Sequence, residues 1–213
     1  MNQRIIAASL LALSLPLAAQ AAGEAKNVIF FLGDGMGPAT VTAARIYKYG
    51  ETGALNMEQL SRTARIKTFS NDAQTTDSAP SMSAYMTGVK MNNEVISMTS
   101  DTKAIAPTLP AGTGNCGASN GAAVSTMLEL AKAKGKAVGS ITTTRITHAT
   151  PAATYSHACH RDAESDIAAQ AVPGGVGYNA ALKDGVDVLM GGGSKFFTPT
   201  AAGGVRVDGR NLI

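Results

Sequence analysis

Thr76-Asp77-Ser78-Ala79-Pro80-Ser81 sets a carboxylate and a serine where a loop turns into a run of small and apolar residues that ends at Gly88. A serine in the first turn of a helix sits among backbone N–H groups without intrahelical partners, at the positive end of the macrodipole. An alkoxide or a phosphoryl oxygen is stabilised there. The chemistry to expect is therefore attack on a phosphate, or a grip on one. Alone, Asp-Ser followed by small residues is more often a plain N-cap than a nucleophile.

A second segment bears on this. Asn27-Val28-Ile29-Phe30-Phe31-Leu32 is a nearly continuous apolar run that stops at Gly33-Asp34-Gly35-Met36-Gly37-Pro38. Such a run predicts a buried parallel strand over 27–33. An acid just past the C-terminal end of that strand stands where open α/β sheets place their ligands, which makes Asp34 a candidate metal ligand. A structural Asp in a tight turn is the plainer reading. A dinucleotide fingerprint is excluded, because the glycine spacing differs and Asp34 would repel a pyrophosphate. Gly191-Gly192-Gly193-Ser194-Lys195 likewise lacks phosphate-loop spacing; close backbone packing at a strand end accounts for it better.

The elements that must position these residues alternate along the chain. The pattern predicts helices near 39–49, 78–88, 122–133, from Pro151, at 162–171 and at 178–183, with strands at 27–33, 65–70, 137–143 and 186–190 and loop over about 97–120. Alternation of this kind predicts an α/β fold, a mostly parallel central sheet flanked by helices. The chain is 45% hydrophobic with 23 glycines, as suits short loops between buried strands. Its net charge of +3 is small and its basic residues are scattered, so nucleic acid is excluded as a partner.

Met1-Asn2-Gln3-Arg4, an apolar stretch to Leu17 and Ala19-Gln20-Ala21 read as basic head, core and cleavage site of a secretory signal over residues 1–22. That leaves 23–213 as one α/β domain, periplasmic or secreted, with no membrane association after cleavage. Export places Cys116 and Cys159 in an oxidising compartment, where two cysteines are bridged more often than free. Pairing with cysteines beyond Ile213, or metal binding, are the alternatives.

Taken together, Val28 to Gly37, Thr76 to Ser81, Thr142 to His157 and Val186 to Gly193 resemble, in order, the motifs of alkaline phosphatases. These are metal-dependent phosphomonoesterases that pass through a phosphoserine. The resemblance runs from about Lys26 to Ile213 and implies a three-layer fold, two Zn2+ and one Mg2+, phosphate monoester substrates and a homodimeric parent. Position by position, Asp34 resembles the carboxylate serving one zinc and the magnesium. Ser78 resembles the nucleophile, itself close to zinc, and Thr150 a magnesium ligand. Arg161 falls where the family has the guanidinium that clamps phosphate, a role suited to its planar donor fork.

Each assignment has a plainer counterpart. Thr150 before Pro151 also makes an N-cap and N1 pair. Arg161 at a helix end could pair with Asp162 or Glu164. Two departures stand out. His148 lies near the magnesium where some bacterial members carry an acid, similar to the animal-type branch, and should weaken the hold on a hard cation. Pro80 removes one N–H near the phosphate, although proline is tolerated in a first helical turn.

The family's remaining zinc ligands come from later Asp, Glu and His motifs. With only His148, His157 and His160, the sequence predicts the N-terminal part of a longer enzyme, inactive alone and poorly soluble through an unpaired sheet edge. Related metal-dependent phosphodiesterases or sulfatases are the enzymatic alternative. A non-catalytic secreted phosphate- or metal-binding protein is the alternative of a different class.

Overall fold

The structure is a computed structural model that describes residues 25–108, 114 and 116–213. The secretory signal expected over 1–22 lies outside the described residues. By its internal contacts the chain divides into Met1–Gly33 and Asp34–Ile213.

In the first unit, residues 25–33 form neither helix nor strand. Val28, Ile29 and Phe31 are 80%, 78% and 89% exposed. The strand expected at 27–33 is thus not formed. An apolar run becomes a strand only when a neighbouring backbone takes its N–H and C=O groups, and no described strand pairs with this one.

The second unit begins with α1 (Pro38–Tyr49), which has proline in its first turn and Gly50 at its end with φ 73°. A single 3-10 turn follows at Asn56–Gln59. No strand forms at 65–70. There Ser70 N–H bonds back to the Ala73 carbonyl and Asn71 N–H to the Met91 carbonyl, a turn instead of a ladder.

Helix α2 (Ser78–Thr87) is capped by Asp77 and ends at Gly88 with φ 74°. Ala79, Met82, Ser83 and Met86 are buried, the spacing of one helical face. Helix α3 (Met127–Ala133) is shorter than the helix expected over 122–133. A capping box between Thr126 and Glu129 sets its start. The residues before it are already committed: Ala123 pairs with Met98, and Val124 N–H bonds the Ser97 carbonyl.

Strand β1 (Gly139–Arg145) leads to α4 (Ala149–Ala152), α5 (Glu164–Gln170), a 3-10 turn at Ala180–Leu182 and strand β2 (Val188–Gly192). Only that turn replaces the helix expected at 178–183, because Asn179 caps its start in an extended conformation and Lys183, with φ of 57°, ends it. Strands β1 and β2 pair in parallel, with Gly139 opposite Val188 and an irregularity between Ile141 and Arg145. A Cβ on Gly191 would sit 2.6 Å from Ile146 Cγ2 and 3.0 Å from the Thr144 carbonyl, the close packing expected of the glycine run.

The core lies between helices, with Leu189 of β2 packed against its edge. Ala79, Met82 and Met86 of α2 meet Ala149 and Ala152 of α4, Ile167 of α5, and Ile96, Tyr155 and Leu182. The sheet is bare by comparison, with Ile141 71% and Met190 58% exposed. Parallel sheets are normally covered on both faces.

Candidate functional site

Asp77 is the corner of the site. As N-cap of α2 it accepts the Ala79 N–H at 2.6 Å on one carboxylate oxygen, and the Glu94 N–H at 2.6 Å on the other. One carboxylate thereby fixes both the start of α2 and a distant loop. Ser78 follows as the first helical residue, half-buried, with Pro80 in the same turn. The Pro80 ring costs no intrahelical bond there.

Arg161 comes 83 positions later and closes over the serine. Its Nη1 donates to Ser78 Oγ at 2.9 Å and to Asp77 Oδ1 at 3.1 Å. Its Nη2 donates to His148 Nε2 at 3.0 Å. The Arg161 backbone N–H bonds the Glu94 carbonyl at 2.8 Å, and the Glu94 carboxylate lies 3.9 Å from Arg161 Nε. Arg161 therefore does not pair with Asp162 or Glu164. Glu164 is taken by Arg145, at 2.9 Å through both guanidinium arms, and by Thr147 Oγ1 at 2.6 Å.

His148 caps α4, so Thr150 is its second residue and not the cap; Pro151 then falls third, where its missing N–H is still no loss. Freed from capping, Thr150 Oγ1 donates to Asp34 Oδ2 at 2.7 Å, across 116 positions. Because Arg161 donates to His148 Nε2, the imidazole carries its proton on Nδ1, which is buried without a partner. Burial first, then the Arg161 and Arg145 guanidiniums, push His148 below the usual histidine range, so it is neutral at neutral pH. Burial and the Asp77 charge push Glu94 above the usual carboxylate range, against the pull of Arg161.

The structure thus joins Ser78, Arg161 and His148 in one hydrogen-bonded chain and Asp34 with Thr150 in another, the two brought close by the N-cap and second residue of α4. Sequence reasoning missed Glu94. No local pattern marks it, and only its φ of 70° in the fold sets it apart. Asp77 was visible in the motif, but its double role as cap and loop anchor was not.

Asp34 and Thr150 bring oxygen donors together, which fits a hard cation such as magnesium. Among the described residues, no three His, Cys, Asp or Glu gather to hold a metal. A catalytic zinc takes three protein ligands, so the described residues supply only part of such a set. Cys116 and Cys159 form a disulfide, with Cα atoms 5.6 Å apart.

Fold and site together define a class: an α/β protein with a serine in the first turn of a helix, under an arginine, a donor set that suits an anion. The family model for alkaline phosphatase matches residues 25–213, and the chain belongs to that family. It is 38% identical to the tissue-nonspecific alkaline phosphatase isozyme of Mus musculus, over 89% of this chain and 39% of the mouse protein. To the alkaline phosphatase of Gadus morhua it is 37% identical, over 89% of this chain and 43% of the cod protein. The chain thus spans about two fifths of the length of these relatives.

Among solved structures, alkaline phosphatase from the Antarctic bacterium TAB5 aligns with a TM-score of 0.60 at 27% identity, covering 84% of this chain and 41% of that one. The Thermus thermophilus alkaline phosphatase aligns at 0.57 and 29% identity, covering 82% and 30%. A TAB5 variant with glutamate in place of a histidine has Mg bound in its M3 site.

Proposed function

We propose that this chain carries the nucleophile and phosphate clamp of an alkaline phosphatase that hydrolyses phosphate monoesters through a phosphoserine on Ser78. The observation that carries the reading is Arg161 Nη1 at 2.9 Å from Ser78 Oγ at the start of α2.

A guanidinium donating to that oxygen favours its ionised form and leaves a lone pair for phosphorus. Attack forms the Oγ–P bond and breaks the ester P–O bond, and the departing oxygen takes a proton from water to leave as the alcohol. Water then cleaves that bond to release inorganic phosphate. Arg161 and the Ser78 N–H hold the phosphoryl oxygens as charge develops on them, since the Ala79 N–H is bonded to Asp77 and Pro80 has none. Asp77 keeps Arg161 in place, and neutral His148 orients its second arm.

Asp34 and Thr150 would hold a magnesium ion, and Asp34 and Ser78 would contribute to zinc. When bound, these ions supply Lewis-acid charge that favours ionised serine and water. Two zinc ions and one magnesium, a homodimeric parent, an export signal over 1–22, one domain over 23–213 and a periplasmic or secreted location belong to the same reading. Among the described residues no helix is long and apolar enough to cross a membrane.

The test is acid-quenched turnover of a phosphate monoester by the full-length protein with zinc and magnesium supplied. Phosphate should be found on Ser78, and Ser78→Ala should lose the adduct and the turnover together. Wild-type turnover by Ser78→Ala would sink the nucleophile assignment. The incomplete metal set among the described residues favours the second reading, a secreted phosphate or metal binder. That reading requires background activity with both metals present.

A further inference from the structure

His157 is a histidine that the phosphatase reading does not use, yet every polar atom it has is bonded. Gln170 takes its backbone: His157 N–H donates to Gln170 Oε1 and Gln170 Nε2 donates to the His157 carbonyl, both at 2.8 Å. The ring lies between two acceptors, with the Ser97 carbonyl 2.7 Å from Nδ1 and Glu129 Oε1 2.7 Å from Nε2.

A carbonyl cannot donate, so Nδ1 carries a proton. Glu129 is an acceptor as well, since its carboxylate also takes the Thr126 N–H at 2.7 Å and Asn179 Nδ2 at 2.5 Å. Those two donors do not depend on the ring, one on each oxygen, and Glu129 titrates below its usual range, so it is ionised. Nε2 therefore carries the second proton, and His157 is an imidazolium. Its side chain is only 12% exposed, and that of Glu129 only 4%.

The direction of each titration agrees. Burial alone would lower the His157 value, but the hydrogen bonds it donates to Glu129 and Ser97 outweigh it and raise it. Burial would raise Glu129, and its donors outweigh that and lower it. The cleft beside the imidazole, about 460 Å³, is lined also by Asp166, Tyr178 and Arg210. Asp166 is engaged by the Gly114 N–H, Arg210 by Asp208 and Tyr178 by the Lys183 carbonyl, leaving Glu129 as the partner that sets the charge.

This imidazolium sits on the strap that carries the phosphate clamp. The next residue, Ala158, exchanges both backbone bonds with Ile96, at 2.8 and 3.0 Å. Three residues further, Arg161 N–H bonds the Glu94 carbonyl, and the Glu94 N–H bonds Asp77. On the other side, Ser97 N–H donates to Ser83 Oγ inside α2 at 2.9 Å. Glu94 and Ser97 adopt φ of 70° and 47°, a region L-residues with side chains enter only when their surroundings hold them. His157 bonds the carbonyl of one of these two residues.

We infer that His157 is a positioning residue: as a cation joining Ser97 to Glu129 it holds the Ile96–Ala158 bridge, and through it Arg161, against Ser78. Its consequence for phosphate rests on the phosphatase reading; the strap itself does not. Losing the proton leaves one ring nitrogen lone pair facing an acceptor, so the strap loosens as pH rises through the His157 titration.

The first arm of the test is NMR of the His157 ring in the full chain. Both nitrogens protonated at about pH 7 is the expected result, and a neutral ring there overturns the inference. The second arm is hydrogen exchange at the Ile96, Ala158 and Arg161 amides and at Arg161 Nε–H, corrected for intrinsic pH dependence. Exchange should quicken at least about tenfold as His157 deprotonates, while Ile167 and Ala168 inside α5 hold.

His157→Gln and Glu129→Gln should reproduce that change at fixed pH. The wild-type titration needs neither variant if one fails to fold. Unchanged protection of Arg161 beside a neutral His157 overturns the positioning role. Inorganic phosphate is the probe for the consequence, and affinity should fall about tenfold in His157→Gln. Unaltered affinity in that variant, where wild type binds, also overturns it. A wild type that binds no phosphate counts against the phosphatase reading alone, and the Arg161 exchange then decides.

Discussion

Arg161→Lys keeps the positive charge of the clamp and removes its shape, so it isolates what the guanidinium fork contributes. Nη1 serves Ser78 and Asp77 while Nη2 reaches His148, at 2.9, 3.1 and 3.0 Å. An ammonium is a single point and can hold one end of that span only. A hydrogen bond to a charged group contributes about 1.5–3 kcal/mol. At about 1.36 kcal/mol per decade, the loss of one such bond to the phosphoryl group lowers kcat/KM by roughly 10- to 150-fold.

Stability should barely change, because Asp77 retains the Ala79 and Glu94 N–H donors at 2.6 Å each. The assay is steady-state hydrolysis of a phosphate monoester by the full-length protein with zinc and magnesium, beside a thermal melt and the inhibition constant for inorganic phosphate. Equal losses in kcat/KM and phosphate affinity mark ground-state grip; a larger loss in kcat/KM marks transition-state stabilisation. A lysine variant within about threefold of wild type in kcat/KM, well below one such bond, would refute the two-armed clamp.

Three further outcomes follow from the same coordinates. His148→Glu replaces a neutral nitrogen beside the Asp34–Thr150 pair with an oxygen donor, so a magnesium titration of the full-length protein should show tighter binding; unchanged or weaker binding would detach His148 from that site. The disulfide closes a separation of 43 residues, so Cys116→Ser with Cys159→Ser should lower the unfolding free energy by about 2–4 kcal/mol in a urea titration. Glu129 titrates below its usual range in the fold, so its contribution is present above about pH 4.5 and is lost as pH falls through the folded value. Glu129→Gln should flatten that acid limb of melting temperature against pH, and an unaltered limb would place the linkage elsewhere.

Local signals were legible because neighbouring backbone groups settle them. Asp77 before Ser78 and Gly88 after Thr87 mark helix ends in the sequence and in the fold alike, whereas the helix expected from 122 starts only after Thr126. The same local logic misplaced the Thr150 cap by two residues, since Thr150 finds a longer-range partner in Asp34. It also drew strands at 27–33 and 65–70, where apolar content is present but no backbone ladder is. A strand is a property of a pair, and one segment cannot contain it.

The sequence by itself determined the order of chemical parts: a serine at a helix start, an acid after an apolar run, an arginine after a histidine pair, and the family those parts belong to. Only the tertiary structure decided which parts meet. Arg161 reaches Ser78 across 83 positions, Thr150 reaches Asp34 across 116, and His157 reaches Glu129 across 28. The first of those meetings comes from burying α2, α4 and α5 on one another, and the buried faces that drive the packing are not themselves the site. Glu94 and Ser97 show the limit most plainly. Nothing local favours left-handed backbone at either residue, and both are held there by bonds to side chains far along the chain.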